Sequence, residues 1–186
     1  MKIAVLIFVL LFWTAQTILT DGSPRIYADL GFRYTPPEGL CDSTDADRLA
    51  VQERAAALHT AKVLDVRLSI QSTTGDTGPE WKKIGIETYP RRNLAGLSDR
   101  DTSLKVARWV AHNGTETGGS KNVAVAGLTF TGLSFELREQ NLVRHADVFT
   151  TIRNGQVISF SFSANSEEVL RQIEASIETI EILPLK

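Results

Sequence analysis

His145 and Asp147 stand two residues apart in a run rich in β-branched and aromatic residues, Val143–Arg153. On a strand that spacing puts both side chains on one face. An imidazole and a carboxylate so placed can share a proton or, with a third ligand from elsewhere, hold a metal ion. An exposed edge pair with no chemical role has the same sequence. The other histidines, His59 and His112, fall near predicted helix ends, and no pair has His-x-x-x-His spacing. The loop Asn113–Lys121 superficially looks like a phosphate-binding loop, but its lysine follows the serine and no strand leads into it. No Gly-x-Ser-x-Gly elbow is present, so a Ser-His-Asp hydrolase has no local support. Glu80, Glu87 and Asp101 are further carboxylates that only folding could bring together. Asn113-Gly114-Thr115 is a glycosylation sequon, of consequence only in a host that glycosylates.

A second group suits binding rather than catalysis. Trp81, Tyr89, Arg91 and Arg92 flank one predicted strand. Aromatics and arginine are enriched in protein interfaces, and ordinary strand ends carry the same residue types. The lone cysteine, Cys41, has no partner for an internal disulfide and no motif of a catalytic thiol around it, and it is expected to be at least partly buried.

The chain has 186 residues and opens Met1-Lys2 before an apolar run from Ile3 to Trp13 that turns polar by Thr20-Asp21-Gly22. That pattern predicts a secretory signal peptide over residues 1–20. The run is short for a membrane span, which needs about 20 apolar residues. An uncleaved N-terminal anchor is the alternative, because the small-residue cleavage pattern is weak. An exported protein, periplasmic or extracellular, is expected. Without the leader, 19 basic residues face 22 acidic ones, a net of −3. No basic patch points to nucleic acid, and no cofactor motif is present. Residues 21–186 are long enough for one core and are expected to form a single domain, acting as a monomer.

These residues need elements to position them. Asn154-Gly155 separates Val143–Arg153 from Gln156–Ser163, and both turn residues tolerate the positive φ that a two-residue type I′ hairpin requires. Arg153 then pairs with Gln156 and Phe149 with Phe160. One face carries Phe149, Ile158, Phe160 and Phe162, with Asp147 near its end; the other carries Val148, Ile152 and Val157. A helix follows, with Asn165 as expected N-cap, Glu168 three residues on, and Val169, Leu170, Ile173, Ile177 and Ile180 at helical spacing. It should lie on the Phe-rich face. Upstream, the spacing predicts a strand over Leu30–Tyr34 after a loose lead-in, and a helix from Ser43 or Thr44 to about His59 with Leu49 on its apolar side. Strands follow over Leu64–Gln71 and Lys83–Tyr89, then a helix over Asp99–Val110 with Trp109 at its margin. A Gly/Thr loop over Asn113–Ser120 precedes Val123–Gly127 and Leu128–Glu139, counted together as one long strand, Val123–Glu139. The order is β-α-β-β-α-β-β-β-α. It predicts an α+β fold, a mixed, mainly antiparallel sheet with helices on its faces in an α/β/α sandwich.

Three segments carry a resemblance. They are Phe-x-Tyr-x-x-Pro at Phe32–Pro37, Val125-Ala126-Gly127-Leu128-Thr129-Phe130, and the block Asn154–Ile158 and Phe160–Leu170 that closes with Ile177–Ile182. Together the pattern resembles the PsbP-like fold, best over residues 123–183. That family includes an extrinsic subunit of the photosynthetic oxygen-evolving complex and many exported bacterial proteins. The resemblance implies a helix-flanked sheet and accessory binding, and it brings no catalytic set. The leading expectation is an exported, non-enzymatic binding or accessory protein with a protein partner in the cell envelope. The alternatives are a hydrolase, or a metal-dependent binding module, with a site assembled from distant residues.

Overall fold

A computed structural model describes residues 22–43, 49, 53, 65–73, 77–139 and 141–184. Its centre is the hairpin of β9 (Leu142–Arg153) and β10 (Gln156–Ala164). Asn154 and Gly155 take φ of 50° and 69°, and Arg153 pairs with Gln156, Phe149 with Phe160 and Asp147 with Phe162, the expected register. Around it stand β3 (Leu40–Asp42), β4 (Asp65–Ser72), β5 (Lys82–Pro90), β6 (Gly114–Glu116), β7 (Lys121–Val125) and β8 (Leu128–Glu139). The order is β3-β4-β5-β10-β9-β8-β6, with β7 also paired to β8. Every described pairing is antiparallel. A second, small sheet has the order β1-β2-β11, from β1 (Arg25–Tyr27), β2 (Phe32–Tyr34) and β11 (Glu181–Ile182).

Both faces of β10 are buried because each alternate set of side chains is largely apolar and each is covered. Phe149, Ile158, Phe160 and Phe162 pack with Phe32, Tyr34 and Phe130, and with Val169, Leu170 and Ile173 of helix α2 (Glu167–Glu174). Ile177 and Ile180 close the same core past a 3-10 turn, Ala175–Thr179. On the opposite face Val148, Val157, Leu133 and Phe135 meet Val106, Ala107 and Val110 of helix α1 (Asp99–Val110). The expected sheet with a helix on each face is therefore present.

Five local expectations change. The helix cap moves from Asn165 to Ser166, whose hydroxyl accepts from the Val169 amide at 3.3 Å. Asn165 instead donates its side-chain amide to the Gly78 carbonyl at 2.8 Å, tying α2 to the loop before β5. The lead-in and the stretch after Gly39 contain β1 and β3, three-residue strands too short for alternation to show. Three residues of the Gly/Thr loop are likewise a strand, β6, hydrogen-bonded along Phe135–Leu137 of β8. The single strand over Val123–Glu139 is a hairpin, β7 and β8, turning at Ala126-Gly127 with φ of 50° and 80°. Gly127 separates the two segments in the sequence, but an alanine at positive φ gives no turn signal, which is why the hairpin was hidden. The helix predicted over residues 43–59 lies outside the described residues except for Leu49 and Glu53. Both are helical, and Leu49 is 55% exposed, so it does not take the inward place expected of it.

The Ala126 turn makes a direct prediction. A left-handed conformation costs a non-glycine residue about 1–2 kcal/mol, and asparagine tolerates it better. Ala126→Asn, which makes this turn match Asn154-Gly155, should raise unfolding stability by about 0.5–1 kcal/mol. Urea denaturation of both proteins checks this; an unchanged or lower midpoint would contradict the turn assignment.

Candidate functional site

Asp147 lies at the border of the Phe-rich core, where β9 runs beneath α2. It is only 5% exposed, and a buried carboxylate requires partners. Ser134, its register partner on β8, donates a short hydrogen bond to Asp147 Oδ1. Lys121, at the start of β7, reaches Asp147 Oδ2 at 3.4 Å and Glu174 Oε1 at 3.0 Å. Glu174 comes from the last turn of α2. One ammonium thus joins two carboxyls from the sheet and the helix. Its Nζ also sits 4.8 Å from the centre of the Phe149 ring, a cation–π contact.

The lysine reaches this point because β8 has a glycine where the two side chains cross. Gly132 is the register partner of both Lys121 and Phe149. A Cβ there would come within 2.7 and 2.8 Å of Phe149 ring atoms and 3.1 Å of Lys121 Cγ. The open groove above the cluster, about 370 Å³, is lined by Thr117, Gly118, His145, Glu167 and Arg171 as well as by the cluster itself.

The charges of the cluster shift one another. Burial pushes the Glu174 carboxyl above its ordinary value, and a hydrogen bond to Asp147 adds to the rise while Lys121 opposes it. Burial pulls the Lys121 ammonium down, but its bond to Glu174 and the charges of Asp147 and Glu174 outweigh that, and the net movement is upward. A carboxyl that holds its proton above the usual range is a proton donor suited to milder pH.

The expected pair of His145 and Asp147 does share a face and a groove, with His145 half-buried at its edge. A third metal ligand does not join them. Among the described residues no group of three or more His, Cys, Asp or Glu side chains could hold a metal ion. The Lys121 ammonium occupies the position beside Asp147 that a cation would need. Sequence reasoning missed Lys121, Ser134 and Glu174. Ser134 was within reach, since a turn between Glu139 and Leu142 sets it opposite Asp147. Lys121 was not, because its hairpin was hidden.

The aromatic–basic patch is not assembled as expected. Trp81 and Tyr89 are 6% and 4% exposed and lie at opposite ends of β5, about 26 Å apart at strand rise. Trp81 packs under the Arg144 guanidinium, 4.4 Å from its ring, beside a cavity of about 220 Å³ that Lys83 and Glu87 also line. Tyr89 donates its hydroxyl to buried Glu87 at 2.7 Å. Arg91 donates to the Leu94 and Leu97 carbonyls at 2.7 and 2.6 Å and pairs with Asp99, so it fastens the turn before α1. Arg92 is exposed. Glu80, Glu87 and Asp101 do not form one cluster: Glu80 is in a turn, Glu87 in mid-strand, and Asp101 in the first turn of α1, where the Ser98 hydroxyl bonds its carboxylate. Cys41 is buried on β3.

No protein-family model matches the sequence, and no curated protein matches it. Solved structures do. The cyanobacterial PsbP, CyanoP, of Synechocystis sp. PCC 6803 is 12% identical, with 86% of this chain and 91% of that one covered at a TM-score of 0.56. This chain has a PsbP-like fold. A protein from Bacteroides thetaiotaomicron is 10% identical over 88% of this chain, at a TM-score of 0.50; the match spans 49% of that longer protein. LpqN of Mycobacterium tuberculosis, described as involved in cell envelope biogenesis, is 12% identical over 87% of this chain and 90% of that one, at a TM-score of 0.48. Among the described residues of this PsbP-like chain, no helix is long and apolar enough to cross a membrane.

Two measurements probe the cluster. Glu174 binds its proton more tightly folded than unfolded. Its contribution to stability is therefore greatest below its ordinary pKa of 4.5 and is lost as pH rises through the higher folded value. Lys121 adds stability that is present below 10.5 and lost above it. Thermal melts across pH should show Glu174→Gln lacking the first decline and, because Glu174 supplies much of what raises Lys121, weakening the second; the same first decline in both proteins would rule out Glu174 as its source. Separately, Gly132→Ala should cost about 1–3 kcal/mol by overpacking against Phe149. Denaturant unfolding reads it, and a neutral result would mean that the ring and the lysine stem can move aside.

Proposed function

We propose that this chain is an exported, non-enzymatic accessory protein that binds a protein partner in the cell envelope. The observation that carries the reading is the mutual satisfaction of Lys121, Asp147, Glu174 and Ser134 in the groove. Lys121 bridges both carboxyls, and the Ser134 hydroxyl donates to Asp147, so these four groups find their partners within the fold. The signal-like leader, the single buried cysteine and the accessory binding implied by the PsbP-like resemblance support the same reading.

One observation favours a second reading. His145, Asp147, Lys121 and Glu174 are gathered in one groove rather than dispersed, and Glu174 holds its proton above the ordinary range. That is the equipment of a general acid, and it keeps a hydrolase in view.

Affinity capture from the native envelope, with the exported chain as bait and mass spectrometry as readout, separates the two. A reproducible protein partner, held equally by Glu174→Gln, is the expected result. Failure to enrich any partner, together with turnover of an ester or phosphoester panel that Glu174→Gln abolishes, would replace the accessory reading with the hydrolase.

A further inference from the structure

Helix α1 has one face on the sheet and one in solvent, and the two are built differently from those of α2. Thr102, Ser103, Val106, Ala107 and Val110 are buried against β8, β9 and β10. Leu104 and Trp109 lie at the edge of that contact, half-buried beside Leu97 from the preceding turn. These three apolar side chains form an open groove of about 380 Å³, rimmed by Asp101, Lys105 and Arg108.

The groove has an anchor that is already held in place. The Trp109 ring meets buried Tyr89 at a tilt of 48°, with centroids 6.2 Å apart, and Lys105 Nζ lies 5.3 Å from the indole centroid. A tryptophan held from beneath gives up little side-chain freedom when a partner covers it, and tryptophan is prominent among the residues that carry most of the energy of an interface. The rim chemistry selects the partner. Asp101 is engaged in the α1 cap through Ser98, and Arg108 is paired with Glu116 at 3.1 Å, so the charge presented over the indole is the Lys105 ammonium. A cation held over an apolar floor is locally complementary to a carboxylate set next to an apolar anchor.

We propose that the Leu97–Leu104–Trp109 groove is the docking surface for the partner protein, and that it takes a segment pairing an apolar anchor with an acidic side chain. This rests on the accessory reading above and names the surface and chemistry that reading lacks. The anchor covers the indole, and the carboxylate meets Lys105 at the rim, where it contributes to encounter rate and partner choice more than to raw affinity.

The test uses a phage-displayed peptide library selected on the immobilised exported chain, with the enriched peptides titrated against variants. Enriched peptides should combine Leu, Phe or Trp with Asp or Glu. Trp109→Ala should weaken them at least about tenfold, as truncating an interface anchor does. Lys105→Glu changes only an exposed residue and leaves the core intact, so it guards against a folding artefact. It should weaken acidic peptides and reduce their sensitivity to salt, and a peptide with Lys in place of the acid should bind it better than wild type. Enriched peptides indifferent to both variants would overturn the proposal. So would self-association in sedimentation velocity that Trp109→Ala removes, which makes a second copy the occupant. Co-pelleting with phosphatidylglycerol vesicles that depends on Trp109 would overturn it in favour of a lipid surface. If the native partner is captured equally by wild type and Trp109→Ala, the docking surface is wrong while the accessory reading stands; if wild type captures nothing, the accessory reading itself fails.

Discussion

Phe160 is the contact on which the remaining packing depends. It sits fully buried in the middle of β10, and its ring meets Phe32 at 5.8 Å, Tyr34 at 5.5 Å and Phe130 at 5.8 Å. Those partners come from the small sheet and from β8, so one side chain joins three parts of the chain. Large aromatic truncations in such places cost about 3–5 kcal/mol. The position of Phe160 is set by the Asn154-Gly155 turn six residues back in space and sequence. A one-residue slip would turn Ser159 and Ser161 toward the aromatic core and the phenylalanines away from it. The register is thus fixed twice, by turn geometry and by the cost of burying hydroxyls in place of rings.

A sheet covered on both faces leaves little room for charge inside, and the Lys121–Asp147–Glu174 cluster shows how the chain accommodates it. Asp147 faces the same side as Phe149 and Phe160, one strand step from the core proper. Burying a carboxylate alone costs several kcal/mol, and a pair recovers that only with good hydrogen bonds. Ser134, Lys121 and Glu174 supply them from three other elements. Removal of the β-carbon at Gly132 is what admits the lysine stem across the strand. The same arrangement binds α2 to the sheet by charge at its C-terminal end and by Val169, Leu170 and Ile173 along its length.

The readable parts of the sequence were those in which local and tertiary signals coincide. Asn154-Gly155 set a hairpin whose expected register is the observed one over Gln156–Ser163, and the Asp99–Val110 pattern returned α1 at its observed ends. The hidden parts have physical reasons. Ala126 adopts a turn conformation its residue type does not advertise. Strands of three residues, such as β1, β3 and β6, carry too little alternation to detect. The residues of the candidate site split the same way. The Asp147 and His145 pairing follows from period two on one strand, whereas Lys121 arrives through the hidden hairpin and Glu174 through helix packing. Trp81 and Tyr89 misled because an aromatic at a strand end has one sequence signature whether it faces solvent or, as here, lies under Arg144 or beside Trp109.

The proposed docking surface falls on α1 rather than α2 for a physical reason. Helix α2 ends in a charge cluster whose members answer one another, so a newcomer there must first break hydrogen bonds that keep Asp147 satisfied. Removing one partner from a buried charged pair is strongly unfavourable. On α1 nothing of that kind stands in the way. Covering Trp109, Leu97 and Leu104 removes apolar surface from water, which is favourable at about 25 cal/mol per Å². Lys105 remains solvated until a carboxylate replaces the water around it. A surface that gains from being covered and loses nothing internal to the fold is the side on which the proposed partner would meet this chain.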